Sequence, residues 1–88
     1  MPTLSAFFGI VITMYWRAHE PAHFHARYGE FEAIAGIETL EVLRGSLPRR
    51  ALALALALEW ATVHRGELAE DWRLCRANQM PRPIQPPE

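Results

Sequence analysis

Residues 7–17 form the first strongly apolar segment of the chain, and they are rich in β-branched and aromatic side chains. Apolar residues occupy both alternating sets of positions, with Ile10 and Ile12 in one set and Phe7 and Val11 in the other. This composition favours a β-strand, and a strand that is apolar on both faces is usually covered on both sides. We therefore predict a central strand over residues 7–17.

Residues 23–34 predict a β-hairpin. Residues 23–28 alternate between polar and apolar side chains, and Gly29-Glu30 follows as a two-residue turn with glycine first. The predicted cross-strand partners are Tyr28 with Phe31, Ala26 with Ala33, and Phe24 with Ala35. One face is then apolar, and the opposite face carries His23, His25, Arg27, Glu32 and Ile34. Arg27 is expected opposite Glu32 as a cross-strand ion pair.

The next segment predicts a further strand and the start of a helix. Residues 37–43 are expected to form a short strand that ends at Gly45. Ser46 is a suitable helix N-cap, and Pro48 would then lie in the first turn, where proline is well tolerated.

One long helix is predicted after that cap. Residues 51–58 alternate alanine and leucine, both strong helix formers, and the amphipathic pattern continues to Trp72. Ala57 and Ala61 fall between ridges of leucine, which suits close packing of the helix on a sheet. Gly66 costs about 1 kcal/mol relative to alanine inside a helix, so we expect a bend or break there.

These elements together predict an α+β fold. An N-terminal antiparallel sheet of three to four strands precedes one long helix, with residues 1–77 as a single domain and 78–88 as an extended proline-rich tail. A chain this short buries a marginal core, and the apolar arc of the helix is wider than one sheet face covers. We therefore expect a homodimer that forms through Leu54 and Leu58. The alternative is that the tail covers the same surface within one chain.

Composition limits the classes of partner. Half of the 88 residues are hydrophobic and the net charge is −1, so no global field attracts nucleic acid and any such contact needs a local patch. Cys75 is the single cysteine, which excludes an internal disulfide and a cysteine-based zinc site. The apolar run at the N-terminus is too short to span a bilayer as a helix. We expect a cytoplasmic protein that does not contact membranes.

The sharpest candidate for chemistry is the histidine-rich segment. His23 and His25 are two residues apart, so on a strand they point to the same side. With His19 as a third ligand they could hold a divalent metal. Alternatively, His23, His25 and Arg27 act on RNA, because imidazole titrates near neutral pH and serves as a general acid or base. The third alternative is a purely structural role, and the sequence identifies no cofactor.

Two further groups of residues carry weaker hypotheses. Arg49 and Arg50 lie at the predicted helix N-terminus, where free N–H groups and arginine together bind phosphate. Two solvated arginines are the alternative. His64 falls in the apolar arc of the helix, and we predict a core histidine packed against the sheet.

Several short segments resemble one family. They are Met1-Pro2-Thr3, Phe7-Phe8-Gly9-Ile10, Met14-Tyr15, His19 and Pro21 with His23-Phe24-His25-Ala26, Tyr28-Gly29, Leu47-Pro48-Arg49-Arg50-Ala51-Leu52, and Glu59-Trp60 with His64. The family is prokaryotic and is catalogued as domain of unknown function 4160. The chain departs from it at Ala22, where a second proline is common, and at Gly66, where a helix former is usual.

The resemblance implies a genetic context and no catalytic residue. Family members are often encoded beside another small protein, a pairing that suggests toxin–antitoxin modules. Our leading hypothesis is therefore a component of a toxin–antitoxin-like pair that binds a small protein encoded nearby and acts on RNA through the histidine-rich hairpin. A metal-binding module and a purely structural partner subunit are the alternatives.

Overall fold

The computed structural model describes residues 2–48 and 53–87, with side chains for 2–48 and 55–87. The described residues form five strands and two helices, which confirms the α+β class. The strands are β1 (Thr3–Phe7), β2 (Ile10–Thr13), β3 (His23–Tyr28), β4 (Phe31–Gly36) and β5 (Val42–Ser46), and the helices are α1 (Ala53–Val63) and α2 (Arg65–Arg76). In this part of the chain no helix is long and apolar enough to cross a membrane.

The five strands form one antiparallel sheet in the order β1-β2-β3-β4-β5, so each strand pairs with its neighbours in the sequence. The predicted register of the β3–β4 hairpin is confirmed at all its pairs, including Arg27 opposite Glu32. Gly29 has φ +59°, as the first position of a primed two-residue turn requires.

The predicted single strand over residues 7–17 is wrong, because the chain reverses at Phe8-Gly9. Phe7 pairs with Ile10 across this turn. Phe8 has φ +50° and Gly9 has φ +80°, the left-handed pair of a primed hairpin turn. Phenylalanine is rare at positive φ, and the alternation of apolar residues runs on through the turn. Residue preference therefore favoured one continuous strand over a reversal at Phe8-Gly9.

The last strand and the helix start also differ from the prediction. Residues 37–40 turn back on β4 instead of extending, since Leu40 N–H donates to the Gly36 carbonyl at 3.0 Å and Gly36 N–H donates to the Glu41 carbonyl at 2.9 Å. β5 consequently begins at Val42 and includes Ser46. Ser46 is thus a strand residue and not the predicted N-cap.

Two helices replace the single predicted one. The break lies at His64, two positions before Gly66 and close to where the glycine predicted it. Ala57 and Ala61 are 1% and 0% exposed, so the small residues pack closely against the sheet as predicted. Between them Trp60 reaches Phe24 on β3, with ring centroids 6.4 Å apart.

The core lies between the helices and the inner face of the sheet, which carries Phe24, Ala26, Ala33 and Ala35. The tail is extended and packed on this body. Its Ile84 is 4% exposed and donates its N–H to the Leu4 carbonyl of β1 at 2.7 Å.

Two side chains of the helices bind the tail. The Trp60 indole N–H donates to the Gln85 carbonyl at 2.8 Å, and Arg82 N–H donates to Asp71 Oδ1 at 2.8 Å. Asp71 is 2% exposed, because the tail covers this side of α2.

Candidate functional site

The outer face of the sheet carries the histidines. We use this name for the side chains opposite the inner face on β2 to β5. His25 pairs with Ile34 and Arg27 pairs with Glu32, so His25 and Glu32 are diagonal neighbours. His25 Nδ1 lies 3.2 Å from Glu32 Oε2 and donates its hydrogen to that carboxylate. We call this pair the His25–Glu32 dyad.

The dyad replaces the predicted Arg27–Glu32 ion pair. Among the ion pairs of the described residues, Glu32 contacts His25 and not Arg27, although the register brings Arg27 directly opposite. The partly sheltered carboxylate therefore orients an imidazole, while the Arg27 side chain extends into solvent.

Burial sets the protonation of His25. Its side chain is 10% exposed, and this desolvation lowers the pKa of His25 below the ordinary value of 6.5, while the hydrogen bond and charge of Glu32 raise it by less. The imidazole is consequently neutral at pH 7. Because Nδ1 carries the hydrogen that Glu32 accepts, Nε2 holds the free lone pair.

His23, like His25, has its Nδ1 hydrogen-bonded to an acceptor oxygen. Its Nδ1 donates to the Pro21 carbonyl at 2.8 Å, which leaves Nε2 free. The two imidazole centroids lie 5.4 Å apart. Aromatic rings flank both histidines: Tyr15 meets His25 edge-on at 4.4 Å, and Trp72 of α2 lies 5.1 Å from His23. Neither Nε2 has a hydrogen-bond partner among the described residues, and an imidazole nitrogen accepts a proton when the ring is neutral and donates one when the ring is protonated.

The structure joins some of the predicted residues and separates others. His23 and His25 come together, and Arg27 follows on the same face. His19 is exposed in the preceding loop, and no three His, Cys, Asp or Glu side chains within residues 2–48 and 55–87 are grouped to hold a metal. The three-histidine metal site therefore has no support here, and the phosphate site predicted at Arg49 and Arg50 lies outside the described residues.

Sequence reasoning missed three neighbours of the dyad. Thr13 pairs with His25 on one side, and Arg44 pairs with Ile34 on the other, so both lie on the outer face in the same cross-strand row as His25. Tyr15 was assigned to a strand rather than to a contact with His25. Correct boundaries for β2 and β5 would have revealed this row, because side chains alternate between the two faces along a strand and the boundaries then determine which residues lie on the outer face.

His64 forms a second histidine–carboxylate pair elsewhere. Its Nδ1 lies 2.5 Å from Glu67 Oε1, and its ring stacks on Trp60 at 5.2 Å. The prediction of a core histidine is wrong, because His64 lies at the helix break with its side chain 17% exposed and paired with Glu67. With Phe8, Leu56 and Val63 it lines an apolar groove of about 420 Å³.

One family of proteins matches the chain over most of its length. The family model described as "Domain of unknown function (DUF4160)" matches residues 9–73. The chain belongs to this family. The match runs from the β1–β2 turn into α2 and includes both histidines of the outer face. No curated protein and no solved structure matches the chain. Membership in this family assigns no activity.

Proposed function

We propose that this protein is one component of a toxin–antitoxin-like pair and that it cleaves RNA at the His25–Glu32 dyad. The observation that supports this proposal is the 3.2 Å contact between His25 Nδ1 and Glu32 Oε2. A carboxylate that holds an imidazole in one tautomer, with its pKa lowered by burial, produces a general base that is unprotonated at neutral pH.

The proposed reaction uses the ribose 2′-hydroxyl as the nucleophile. His25 Nε2 takes the proton of the 2′-hydroxyl, and the 2′-oxygen forms a bond to phosphorus as the bond from phosphorus to the 5′-oxygen breaks. His23 Nε2, in its protonated form, gives its proton to the departing 5′-oxygen. The products are a 2′,3′-cyclic phosphate and a 5′-hydroxyl. Arg27, exposed on the same face, neutralises charge on the phosphate.

The experiment is cleavage of purified RNA by the purified chain, with products identified by their end groups. Wild-type protein is expected to release 2′,3′-cyclic phosphate ends. His25→Ala is expected to lose about 10²- to 10⁴-fold in rate, which is the usual contribution of a general base. Failure of folded wild-type protein to cleave RNA, or full activity of His25→Ala, would contradict the proposal.

Glu32 is a positioning residue, and its test uses the pH profile. Glu32→Gln removes the hydrogen bond to a carboxylate and the negative charge, both of which raise the pKa of His25. The acid limb of the rate profile is therefore expected to move to lower pH. His64→Gln is the matched control, since it breaks a histidine–carboxylate pair of the same chemistry at the helix break and is expected to leave the rate and the profile unchanged.

The partner-binding half of the proposal is supported by a contiguous apolar patch. Phe8 and Val63 line one groove and are 62% and 75% exposed, and exposed apolar patches often mark interaction sites. The chain is expected to arrest growth when expressed alone and to co-purify with the protein encoded beside it. Phe8→Asn tests the patch, because asparagine suits the positive φ of Phe8 while removing the ring. Undiminished co-purification of Phe8→Asn would place the partner elsewhere.

A further inference from the structure

The outer face of the sheet aligns two arginines with the dyad. Arg44 lies in the same cross-strand row as His25, and Arg27 is the next outward-facing residue along β3. Ideal strand geometry places Arg27 about 7 Å and Arg44 about 10 Å from His25 along the sheet. Both side chains are exposed. Two bidentate phosphate-binding groups therefore flank the proposed reaction centre on separate sides.

An exposed aromatic ring borders the same centre. Tyr15 meets the His25 ring edge-on, at 4.4 Å between centroids and 85° between planes, and it remains 36% exposed. The contact with His25 holds the ring in place before any ligand arrives. A fixed and partly exposed aromatic ring can stack on a nucleobase.

This arrangement fits an unpaired strand better than a duplex. Bases in a duplex are stacked on one another, so an aromatic side chain reaches their faces only in single-stranded segments. A stacking ring with a few local arginines therefore favours single-stranded RNA.

We propose that the outer face of the sheet binds single-stranded RNA, with one base stacked on Tyr15 and flanking phosphates at Arg27 and Arg44. This inference rests on the proposed function for its placement of the scissile phosphate at His25. Its binding test is independent of cleavage, because a strand methylated at the 2′-oxygens has no nucleophile and remains intact.

The test measures binding of a fluorescein-labelled 2′-O-methyl 12-nucleotide uridine strand by anisotropy, against a 2′-O-methyl hairpin of equal length. Wild-type protein is expected to prefer the single strand. Tyr15→Leu is expected to weaken binding by about 5- to 150-fold, the range for loss of one stacked base, and Tyr15→Phe is expected to bind as wild type. Phe31→Leu is the matched control, because Phe31 is an exposed ring, 50% accessible, at the start of β4 and on the opposite face of the strand from Glu32.

Salt dependence tests the arginines separately. Each lost phosphate contact on a single strand lowers the slope of log affinity against log salt by about 0.7. Arg27→Gln and Arg44→Gln are each expected to show that change. Arg73→Gln is expected not to, since Arg73 lies on α2 and pairs with Glu70.

The outcomes separate the two proposals. Equal affinity for the hairpin, wild-type affinity in Tyr15→Leu, or no binding to the strand would each overturn the single-strand inference. If the protein cleaves natural RNA but binds both probes equally, the proposed reaction is supported and the single-strand inference is overturned. Selective, Tyr15-dependent binding without cleavage would support the inference and remove the catalytic proposal.

Discussion

Gly45 provides a test of the structure behind the dyad. It lies on β5 opposite Ala33, with φ +71°. A Cβ placed on Gly45 would overlap the carbonyl oxygen of Glu32 and approach the Glu32 carbonyl carbon to 3.2 Å. These neighbours are backbone atoms, so they can move aside only if β4 and β5 separate locally. Glycine at this position therefore allows β5 to pair closely with β4, the strand that carries the Glu32 carboxylate.

The expected magnitude follows from two separate costs. A residue other than glycine in the left-handed conformation costs about 1–2 kcal/mol. Separating the strands at Gly45 breaks at least two ladder hydrogen bonds, each with a net contribution of about 0.5–1.5 kcal/mol. Gly45→Ala is therefore expected to lower the free energy of unfolding by roughly 2–5 kcal/mol, a large share of the stability of a domain this size.

Two other glycines provide controls within the same chain. Gly29 also has positive φ, at +59°, but nothing lies within 4 Å of an added Cβ, so Gly29→Ala is expected to cost only about 1–2 kcal/mol. Gly66 is the second residue of α2 and has open space around it, so Gly66→Ala is expected to stabilise by up to about 1 kcal/mol.

Urea denaturation followed by circular dichroism measures all three variants. A Gly45→Ala protein that is no less stable than Gly29→Ala would refute the argument from the overlap. The RNA assay, run well below each melting temperature, supplies a second readout. Displacement of the Glu32 backbone is expected to slow cleavage in Gly45→Ala more than in Gly29→Ala.

Three further predictions concern the core, His25 and Asp71. Phe24 is fully buried, so Phe24→Ala is expected to cost about 3–5 kcal/mol in urea denaturation; a loss below that range would mean that the core collapses around the gap. The folded-state pKa of His25 lies below 6.5, the value for the unfolded chain. Between these two pKa values the unfolded chain binds more protons than the folded protein, so the free energy of unfolding is expected to fall as the pH is lowered through this range. Thermal melts should show a weaker pH dependence for His25→Gln than for wild type, and identical dependence would exclude His25 as the source. Burial raises the pKa of Asp71, so Asp71→Asn, which keeps an acceptor for Arg82 N–H, is expected to melt at a higher temperature at pH 7; a lower one would indicate an unrecognised partner of the carboxylate.

The β3–β4 hairpin was predictable because its information is local. A regular alternation and a two-residue turn with glycine first determine the register between adjacent segments, and the structure has every predicted pair. The β1–β2 hairpin also has a two-residue turn, but here glycine is second and Phe8 occupies a backbone conformation in which phenylalanine is rare. Residue preference therefore pointed away from the reversal, and one strand was predicted where two exist.

The partner of Glu32 and the burial of Asp71 could not be read from local patterns. Arg27 is directly opposite Glu32 and His25 is diagonal to it, and both positions are within reach of a glutamate side chain. The choice depends on side-chain conformation within the folded sheet. Asp71 is buried by the tail residue Arg82, and no periodicity within the helix reveals a segment that returns from beyond it.

The hydrogen bond from Ile84 to Leu4 has a consequence for the order in which the protein forms and opens. All strand pairs join neighbours in the sequence, and such local topologies fold rapidly. The tail contact joins opposite ends of the chain, so it closes the largest loop. It is expected to form last and to open first, as a separate unit of low stability. The Ile84 amide should therefore exchange with deuterium sooner than the central amides of β3. Brief opening of this kind would expose Asp71 and the Trp60 indole to solvent while the sheet that holds His25 stays intact.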